Sequence, residues 1–348
     1  MGSIQSPHAH VERPSQRLFL VTYPRTASNL LLKILAIDDQ PNTLSNDIGG
    51  YYFRPAFLKS RMTGNTYRPI GDLRREEAQD LQHIFQECFE KLEHDSNAAI
   101  EQGKHFLVKE HALWLFNPAK ISDVLGEQNT HPQSLFRVQQ NSSSSTSTWS
   151  SKNQTVLPDE ALRKWRLVFL IRHPALAFPS YYRAMLELHE EGYLHESEFQ
   201  PHLQANMTLQ WTRTLYDWSC ELFSEPLMLD ADDVISNPAA IAEFCETTGL
   251  DSSQLKFAWN SAPKGGEAKS SSESETKKSL GAVMEKTLLD SSGVLKGKSS
   301  DGIDIATESI KWKRDFGQEM SEALEQSVKD AMCDYEYLRA RKLDRKST

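Results

Sequence analysis

One short stretch, residues 18–35, restricts the possible folds of this chain more than any other part of its sequence. Residues 18–21 are all apolar and predict a buried strand. A turn follows at positions 23–27, and a helix is predicted next because apolar residues recur at helical spacing. Those apolar residues are Leu30, Leu31, Ile34 and Leu35. A strand, a tight turn and a helix in direct succession are typical of α/β proteins with a parallel sheet.

The turn at positions 23–27 predicts a binding site for an anion. Ser28 or Asn29 is expected to cap the following helix. The first backbone N–H groups of that helix, and the positive end of its dipole, face the turn. Arg25 adds a full positive charge, and Thr26 and Ser28 add hydroxyl donors. We therefore expect a phosphate or sulfate group at this position.

Three further apolar runs predict strands of the same sheet. They lie at residues 106–108, 167–171 and 226–230. The continuous apolar run of the second is typical of a central parallel strand that is covered on both faces. Helices are predicted from Asp72, at 175–188, at 203–223, from Asn237 to Gly249 and around 320–335. The alternation predicts an α/β fold with a central parallel sheet flanked by helices, in three layers.

Polar residues follow two of these strands. Lys109 and His111 come at the end of one, and in open α/β sheets the carboxyl ends of the strands face the ligand crevice. Arg172 ends another, and Ser180 follows near the start of the next helix, where the two could hold a second phosphate. Structural alternatives stay open: a surface lysine with a capping histidine, and an internal ion pair with a helix cap.

Composition excludes several classes of function. The net charge of −9 argues against a general nucleic-acid-binding protein. The four cysteines are widely spaced, which indicates buried thiols and a cytoplasmic, reducing compartment. No apolar run reaches the roughly 18 residues of a transmembrane helix. Asp232 and Asp233 predict the start of a helix rather than a metal site, so no metal is expected.

The folded domain is expected to span residues 17–342. Residues 1–16 predict a disordered tail, in preference to N-myristoylation at Gly2. Residues 137–158 are of low complexity and rich in serine, which predicts a disordered insertion within the domain. Residues 260–307 predict a long mobile loop that could act as a lid.

An irregular segment is predicted at residues 38–71. It contains four aromatic residues between glycines and a proline: Tyr51, Tyr52, Phe53 and Phe57. Aromatic rings in such a loop either line the mouth of a substrate site or pack into the core. Both alternatives stay open at this point.

In this order, the motifs resemble those of sulfotransferases that use 3′-phosphoadenosine 5′-phosphosulfate (PAPS). Residues 23–29, Tyr-Pro-Arg-Thr-Ala-Ser-Asn, are similar to the 5′-phosphosulfate loop of that family. Arg172 and Ser180 have the eight-residue spacing of its 3′-phosphate motif. Residues 109–111, Lys-Glu-His, resemble its Lys-x-His segment, and residues 312–313 its C-terminal Trp-Lys pair. The resemblance is to microbial or fungal small-molecule members, and it implies a three-layer P-loop-like domain.

The resemblance implies a role for each matching residue. His111 would be the general base toward a hydroxyl or amine of a small-molecule acceptor, in secondary metabolism. Lys109 and Arg25 would stabilise charge on the sulfuryl oxygens and the leaving phosphate. PAPS would be a co-substrate, no metal or nucleic acid would take part, and a homodimer is possible. The donor-binding residues implied are Arg25, Thr26, Ala27, Ser28, Asn29, Arg172 and Ser180.

The sequence departs from the family pattern in its first motif. Arg25 stands where the family has lysine, and Ala27 where it has glycine. Residues 296–298 are only a faint match to the family's glycine-rich nucleotide motif. One alternative is therefore a sulfotransferase-fold protein that binds a nucleotide or partner, or catalyses another acid–base reaction such as dehydration. A P-loop kinase is disfavoured because the Gly-x-x-x-x-Gly-Lys-Ser/Thr loop is absent from the sequence.

Overall fold

The computed structural model of the protein has a parallel five-stranded sheet at its centre. The residues it describes are 16–46, 49–63, 67, 70–126, 131–140, 147–222, 226–259, 284, 288 and 291–343. The strands are β1 (Arg17–Thr22), β2 (Thr43–Leu44), β3 (His105–His111), β4 (Arg166–Ile171) and β5 (Leu227–Asp230). They lie in the order β2-β3-β1-β4-β5, and every pairing is parallel.

Helices cover both faces of the sheet. Those of the described residues are α1 (Ser28–Leu35), α2 (Arg54–Met62), α3 (Arg75–Glu101), α4 (Ala112–Leu115), α5 (Pro118–Val124), α6 (Asp159–Leu162), α7 (Pro174–Glu190), α8 (Glu196–Asn206), α9 (Gln210–Leu222), α10 (Ala231–Ser236), α11 (Pro238–Thr248), α12 (Ile305–Phe316) and α13 (Gln318–Arg339). No helix in these ranges is long and apolar enough to cross a membrane.

Strand β1 shows why the domain has three layers. Phe19 and Val21 belong to the hydrophobic cluster that also contains residues of α3, α7, α9 and α13. Leu18 and Leu20 belong to a second cluster with residues of α1 and α11. Successive side chains of a strand point to opposite faces, so a continuous apolar run must be covered on both. The predicted three-layer α/β class and the predicted strands are therefore confirmed.

The parallel register brings the polar strand ends to one edge of the sheet. Thr22, the last residue of β1, is paired with His111, the last residue of β3. On the other side of β1, β4 ends at Ile171, so that Arg172 follows directly at the same edge. Residues that are far apart in sequence are therefore neighbours here.

Several predicted helix limits are wrong. Helix α1 is preceded by Ala27 in the left-handed conformation, and neither Ser28 nor Asn29 caps it with a side chain. Helix α3 begins at Arg75 with Arg74 as its N-cap residue, rather than from Asp72. These differences arise because capping depends on the backbone geometry of the turn as well as on residue type.

Two further segments differ from their predicted structure. The predicted helix at 203–223 is two helices, α8 and α9, and the Trp211 indole N–H donates to the Ala205 carbonyl across the break at 2.8 Å. The segment 38–71 contains α2, which begins with Pro55 in its first turn. Pro at that position is compatible with a helix because its missing N–H would have no intrahelical partner.

The three segments predicted to lie outside the core differ from one another. Residues 1–15 are outside the described residues, as are 141–146 and 260–283. The disorder predicted for 137–158 is wrong for the flanking residues, because Val138 and Val156 are fully buried and joined by a backbone hydrogen bond. Within the predicted mobile loop, Ser300 donates its backbone N–H to Asp232 at 2.8 Å, which fixes that part of the segment.

Candidate active site

The turn between β1 and α1 has the backbone geometry of an anion cradle. Arg25 and Ala27 both adopt positive φ, 71° and 64°, on either side of Thr26. The Thr26 hydroxyl donates to the Tyr23 carbonyl at 3.1 Å and closes the turn. Alternating left-handed residues turn successive N–H groups toward one concave surface, and α1 directs its N-terminal end to the same place. Ala27 therefore has the left-handed backbone conformation that glycine adopts more readily than alanine.

Two arginines meet beside this turn. The Arg25 Nε donates to the Ser180 hydroxyl at 3.0 Å, and its Nη1 donates to the Met284 carbonyl at 2.5 Å. Arg172 Nη1 donates to the Arg25 carbonyl at 2.9 Å, and its backbone N–H donates to the Tyr23 hydroxyl at 2.9 Å. The structure thus joins the two predicted phosphate motifs into one cluster.

Carboxylates offset the charge of this cluster only from a distance: Glu187 acts on Arg25, and Asp230 and Asp232 act on Arg172, without forming ion pairs. Burial lowers the pKa of Arg25 first, and Arg172 and Arg183 nearby lower it further. Burial also lowers the pKa of Arg172, and its Nε has no hydrogen-bond partner among the described residues. Among those same residues, no carboxylate lies within ion-pair distance of either guanidinium. Buried cations are costly unless an opposite charge accompanies them, so the arrangement favours a bound anion.

His111 is held in one tautomer by Thr22. The Thr22 hydroxyl donates to the Glu110 carbonyl at 3.1 Å, so its oxygen is left to accept from His111 Nδ1 at 2.9 Å. The proton is therefore on Nδ1, and Nε2 carries the lone pair, 3.5 Å from the Tyr51 hydroxyl. Burial, with Lys109 nearby, lowers the pKa of His111 to about 3. The imidazole is thus neutral near pH 7, with its unprotonated Nε2 on the side of Tyr51.

Lys109 lies below the turn rather than on the cavity surface. Its side chain is buried, and its ammonium donates to the Asn29 side-chain oxygen. The same ammonium lies 4.3 Å from the centre of the Tyr51 ring, a cation–π contact. Asn29, predicted as a helix cap, instead links Lys109 to the start of α1. The lysine therefore contributes its positive charge from behind the cradle.

Glu110 points to the opposite side of β3 from its neighbours. It is fully buried and accepts the Phe53 backbone N–H at 3.0 Å. Burial raises the pKa of Glu110 to about 8 despite the hydrogen bond from Phe53 and the charge of Lys109. The carboxyl thus fixes the segment that carries Tyr51 against the end of β3.

A single cavity of 1080 Å³ joins these groups. The residues predicted from sequence that line it are Arg25, Thr26, Ala27, Ser28, Asn29, His111, Arg172 and Ser180. Lys109 is not among the lining residues. Trp312 lines the cavity, whereas its neighbour Lys313 does not, and Lys311 and Lys298 do. The part of the cavity lined by residues 25–29, Arg172 and Ser180 is called the donor lobe, and the part lined by residues of α2, α4 and α8 is called the acceptor lobe.

The acceptor lobe contains several residues that the sequence did not reveal. They include Arg54, Arg61, Tyr67, Trp114, His202 and Asn206. Of the four aromatic residues at 51–57, Tyr51 and Phe57 line the cavity, while Tyr52 and Phe53 are buried in the core. Both alternatives for that segment are therefore correct in part. A spacing of three and four residues for Arg54, Phe57 and Arg61 on α2 is the signal that could have identified them.

The sequence is similar to two fungal proteins along nearly its full length. It is 38% identical over 351 residues to "Sulfotransferase ppzF" of Metarhizium rileyi, and 38% identical over 350 residues to the protein of the same name from Metarhizium majus. Each alignment covers 96% of this chain and 98% of the relative. No family model matches the chain. No solved structure matches it either.

Proposed function

This chain belongs to the sulfotransferase family of those two fungal proteins, and from that premise we propose that it transfers a sulfuryl group from PAPS to a hydroxyl or amine of a small-molecule acceptor. The observation that carries the proposal is the position of His111. Its unprotonated Nε2 lies in the same cavity as the paired arginines, Arg25 and Arg172. A base and a cluster of cations that can bind an anion, both on one cavity, are what a transfer between an anionic donor and a hydroxyl requires.

The donor would occupy the lobe beside the β1–α1 turn. Arg172 and Ser180 would hold its 3′-phosphate, and residues 25–29 would hold its 5′-phosphosulfate with backbone N–H groups. Arg25 bonds to Ser180 and so couples the two positions. The unpaired Nε of Arg172 supports an anion as the expected occupant.

The chemical step would be an in-line displacement at sulfur. As the acceptor oxygen forms a bond to sulfur, its proton passes to His111 Nε2, and the bond from sulfur to the 5′-phosphate oxygen breaks. Thr22 stabilises the resulting imidazolium because its oxygen accepts the Nδ1 proton. Arg25, the turn N–H groups and the charge of Lys109 behind them stabilise the leaving phosphate.

Calorimetry with the product nucleotide, 3′-phosphoadenosine 5′-phosphate, tests donor binding. We expect it to bind at least ~10-fold more tightly than adenosine 5′-phosphate, because charge-assisted contacts to the extra phosphate contribute more than 1 kcal/mol. ATP is the control for a kinase. Equal affinity for all three nucleotides, or no binding, would refute the assignment of the donor lobe.

Sulfur-labelled PAPS with a panel of phenols and aromatic amines then tests transfer. Labelled product from at least one acceptor is expected.

One observation favours the alternative, a protein that binds a nucleotide without transferring a sulfuryl group. The Arg25 guanidinium is bonded to Ser180 and to the Met284 carbonyl instead of lying over the turn. Nucleotide binding with no transfer to any hydroxyl or amine of the panel would support that alternative.

A further inference from the structure

We propose that the acceptor is a planar aromatic molecule with a carboxylate at the end remote from the reacting hydroxyl, and that His202 and Arg61 bind this carboxylate. The inference rests on the proposed function, because it takes His111 as the place of reaction. It assigns the far end of the acceptor lobe to a specific chemical group, which the family membership does not do.

A continuous row of rings leads from His111 to the far end of the lobe. The His111 and Trp114 rings meet edge to face at 4.7 Å, and Trp114 stacks on Phe57 at 4.8 Å with 19° between the planes. Phe57 in turn meets the His202 ring at 5.9 Å. Such a row offers both ring faces and ring edges, and it favours an aromatic ligand that packs along it.

His202 ends this row with an unsatisfied polar atom. It is 3% exposed, it lines the cavity, and its Nε2 has no hydrogen-bond partner among the described residues. Its Nδ1 lies 3.5 Å from the hydroxyl of Tyr181, which is itself buried. If the tyrosine donates its proton to Nδ1, the remaining proton of the neutral ring is on Nε2 and is available to a ligand. Burial and the nearby Arg61 lower the pKa of His202 to about 3, so the ring stays neutral.

Arg61 supplies the positive charge beside this donor. Its Nη2 donates to the Tyr193 carbonyl. Its Nε forms a long ion pair with a Glu198 carboxylate oxygen at 4.0 Å and has no hydrogen-bond partner among the described residues. That separation is too long for a hydrogen bond. Arg54, which is also in α2, lines the same cavity and adds a second positive charge to the lobe.

Together these groups select for a substrate group that accepts hydrogen bonds and carries negative charge. A carboxylate can accept from the His202 Nε2–H and from the Arg61 guanidinium at the same time. A neutral aromatic of the same shape would leave both buried donors without a partner, which costs free energy. The subsite therefore distinguishes an aryl carboxylate from the parent aryl alcohol.

The test uses 6-hydroxy-2-naphthoate, its methyl ester and 2-naphthol as probes. Binding is measured by calorimetry on the full chain, with and without 3′-phosphoadenosine 5′-phosphate. We expect the carboxylate to bind at least ~10-fold more tightly than either neutral probe, as expected for one charge-assisted contact. Similar affinities for the three probes, or no binding of any of them, would overturn the proposal.

Variants assign the discrimination to the proposed residues. Arg61→Met and His202→Gln should each reduce the preference for the carboxylate to less than ~3-fold and leave the affinity for 2-naphthol within about twofold. Lys59→Met removes a cation from the exposed face of the same helix and should leave the preference unchanged. The assignment is contradicted if both site variants retain the preference for the carboxylate, or if Lys59→Met loses that preference to the same extent. If His202→Gln does not fold, Arg61→Met decides alone.

This experiment is separable from that on the donor. Failure of the product nucleotide to bind, with the carboxylate preference intact, would refute the proposed function but not the subsite. Nucleotide binding without any carboxylate preference would refute the subsite alone.

Discussion

The two lobes of the cavity are built in different ways. The donor lobe is formed by backbone at the ends of adjacent strands: the turn after β1 is closed by Thr26, and Tyr23 bonds to the backbone of Arg172 after β4. The acceptor lobe is formed by side chains of α2, α4 and α8, which meet through ring contacts. Backbone geometry set by a sheet tolerates little change, whereas ring contacts between helices can be replaced one at a time. We expect the donor to be the constant part of this site and the acceptor the variable part.

His111 lines the cavity that contains both lobes, and its loss should have the largest effect. In His111→Gln we expect transfer to fall by about 10²–10⁴-fold, the range for removal of a general base. The affinity for 3′-phosphoadenosine 5′-phosphate should stay within about twofold, because the side chain contacts the acceptor side. His105→Gln, at the opposite end of β3, is the control. Unchanged transfer in His111→Gln would show that another group is the base.

Arg172 tests the donor lobe. Arg172→Met should weaken binding of the product nucleotide by about 100-fold, since it removes a forked, charge-assisted contact worth up to ~3 kcal/mol. The affinity for a naphthol acceptor should not change. Arg166→Met, at the other end of β4, removes an arginine that bonds to the Thr247 carbonyl and should have no effect on either ligand. A loss of affinity for both ligands in Arg172→Met would mean that the lobes are not independent.

Thr22 tests whether the sheet controls the acceptor lobe through His111. Thr22→Val keeps the shape but removes the oxygen that accepts the Nδ1 proton, and we expect transfer to fall roughly 10-fold because the tautomer is no longer fixed. Thr22→Ser should recover most of the activity. Nitrogen NMR of the His111 ring gives a direct measurement, with Nε2 protonated in a fraction of Thr22→Val molecules. An unchanged nitrogen spectrum would contradict the assigned tautomer.

Trp114 tests the acceptor lobe. Trp114→Leu interrupts the ring row and should raise KM for an aromatic acceptor about 5-fold, as expected for the loss of one aromatic contact of ~1 kcal/mol. Donor affinity should be unchanged. Trp149→Leu is the matched control, because Trp149 contacts Arg137 away from the cavity. Weaker nucleotide binding in Trp114→Leu would show that the acceptor wall also shapes the donor lobe.

The smallest expected effect is that of pH on the base. Because the pKa of His111 is lowered to about 3, the imidazole is unprotonated throughout the range from pH 5 to pH 8. The kcat/KM for transfer should therefore not decrease through pH 6.5 as the solution is made more acidic, and its acid limb should lie below pH 5. A decrease centred near the ordinary histidine pKa would show that His111 is more solvated than its burial indicates.

The fold and the family could be predicted from the sequence because their signals are local. Apolar runs of strand length and the turn at 23–27 can be recognised in the sequence whatever the arrangement of the remaining chain. They predicted β1, β3, β4 and β5. The ring row could not be predicted, since Phe57, Trp114 and His202 come from separate helices. Each of them alone has the pattern of an ordinary core residue.

The sequence by itself determined that a strand, a tight turn and a helix come first, and that polar residues end the next strands. Only the tertiary structure decided that Ala27, rather than Ser28 or Asn29, is the N-cap residue of α1 and that Lys109 lies behind the turn. It also decided the state of His111, through a contact with Thr22 that spans 89 residues of sequence. Such contacts depend on strand register, which the packing of both sheet faces sets and which no local pattern records.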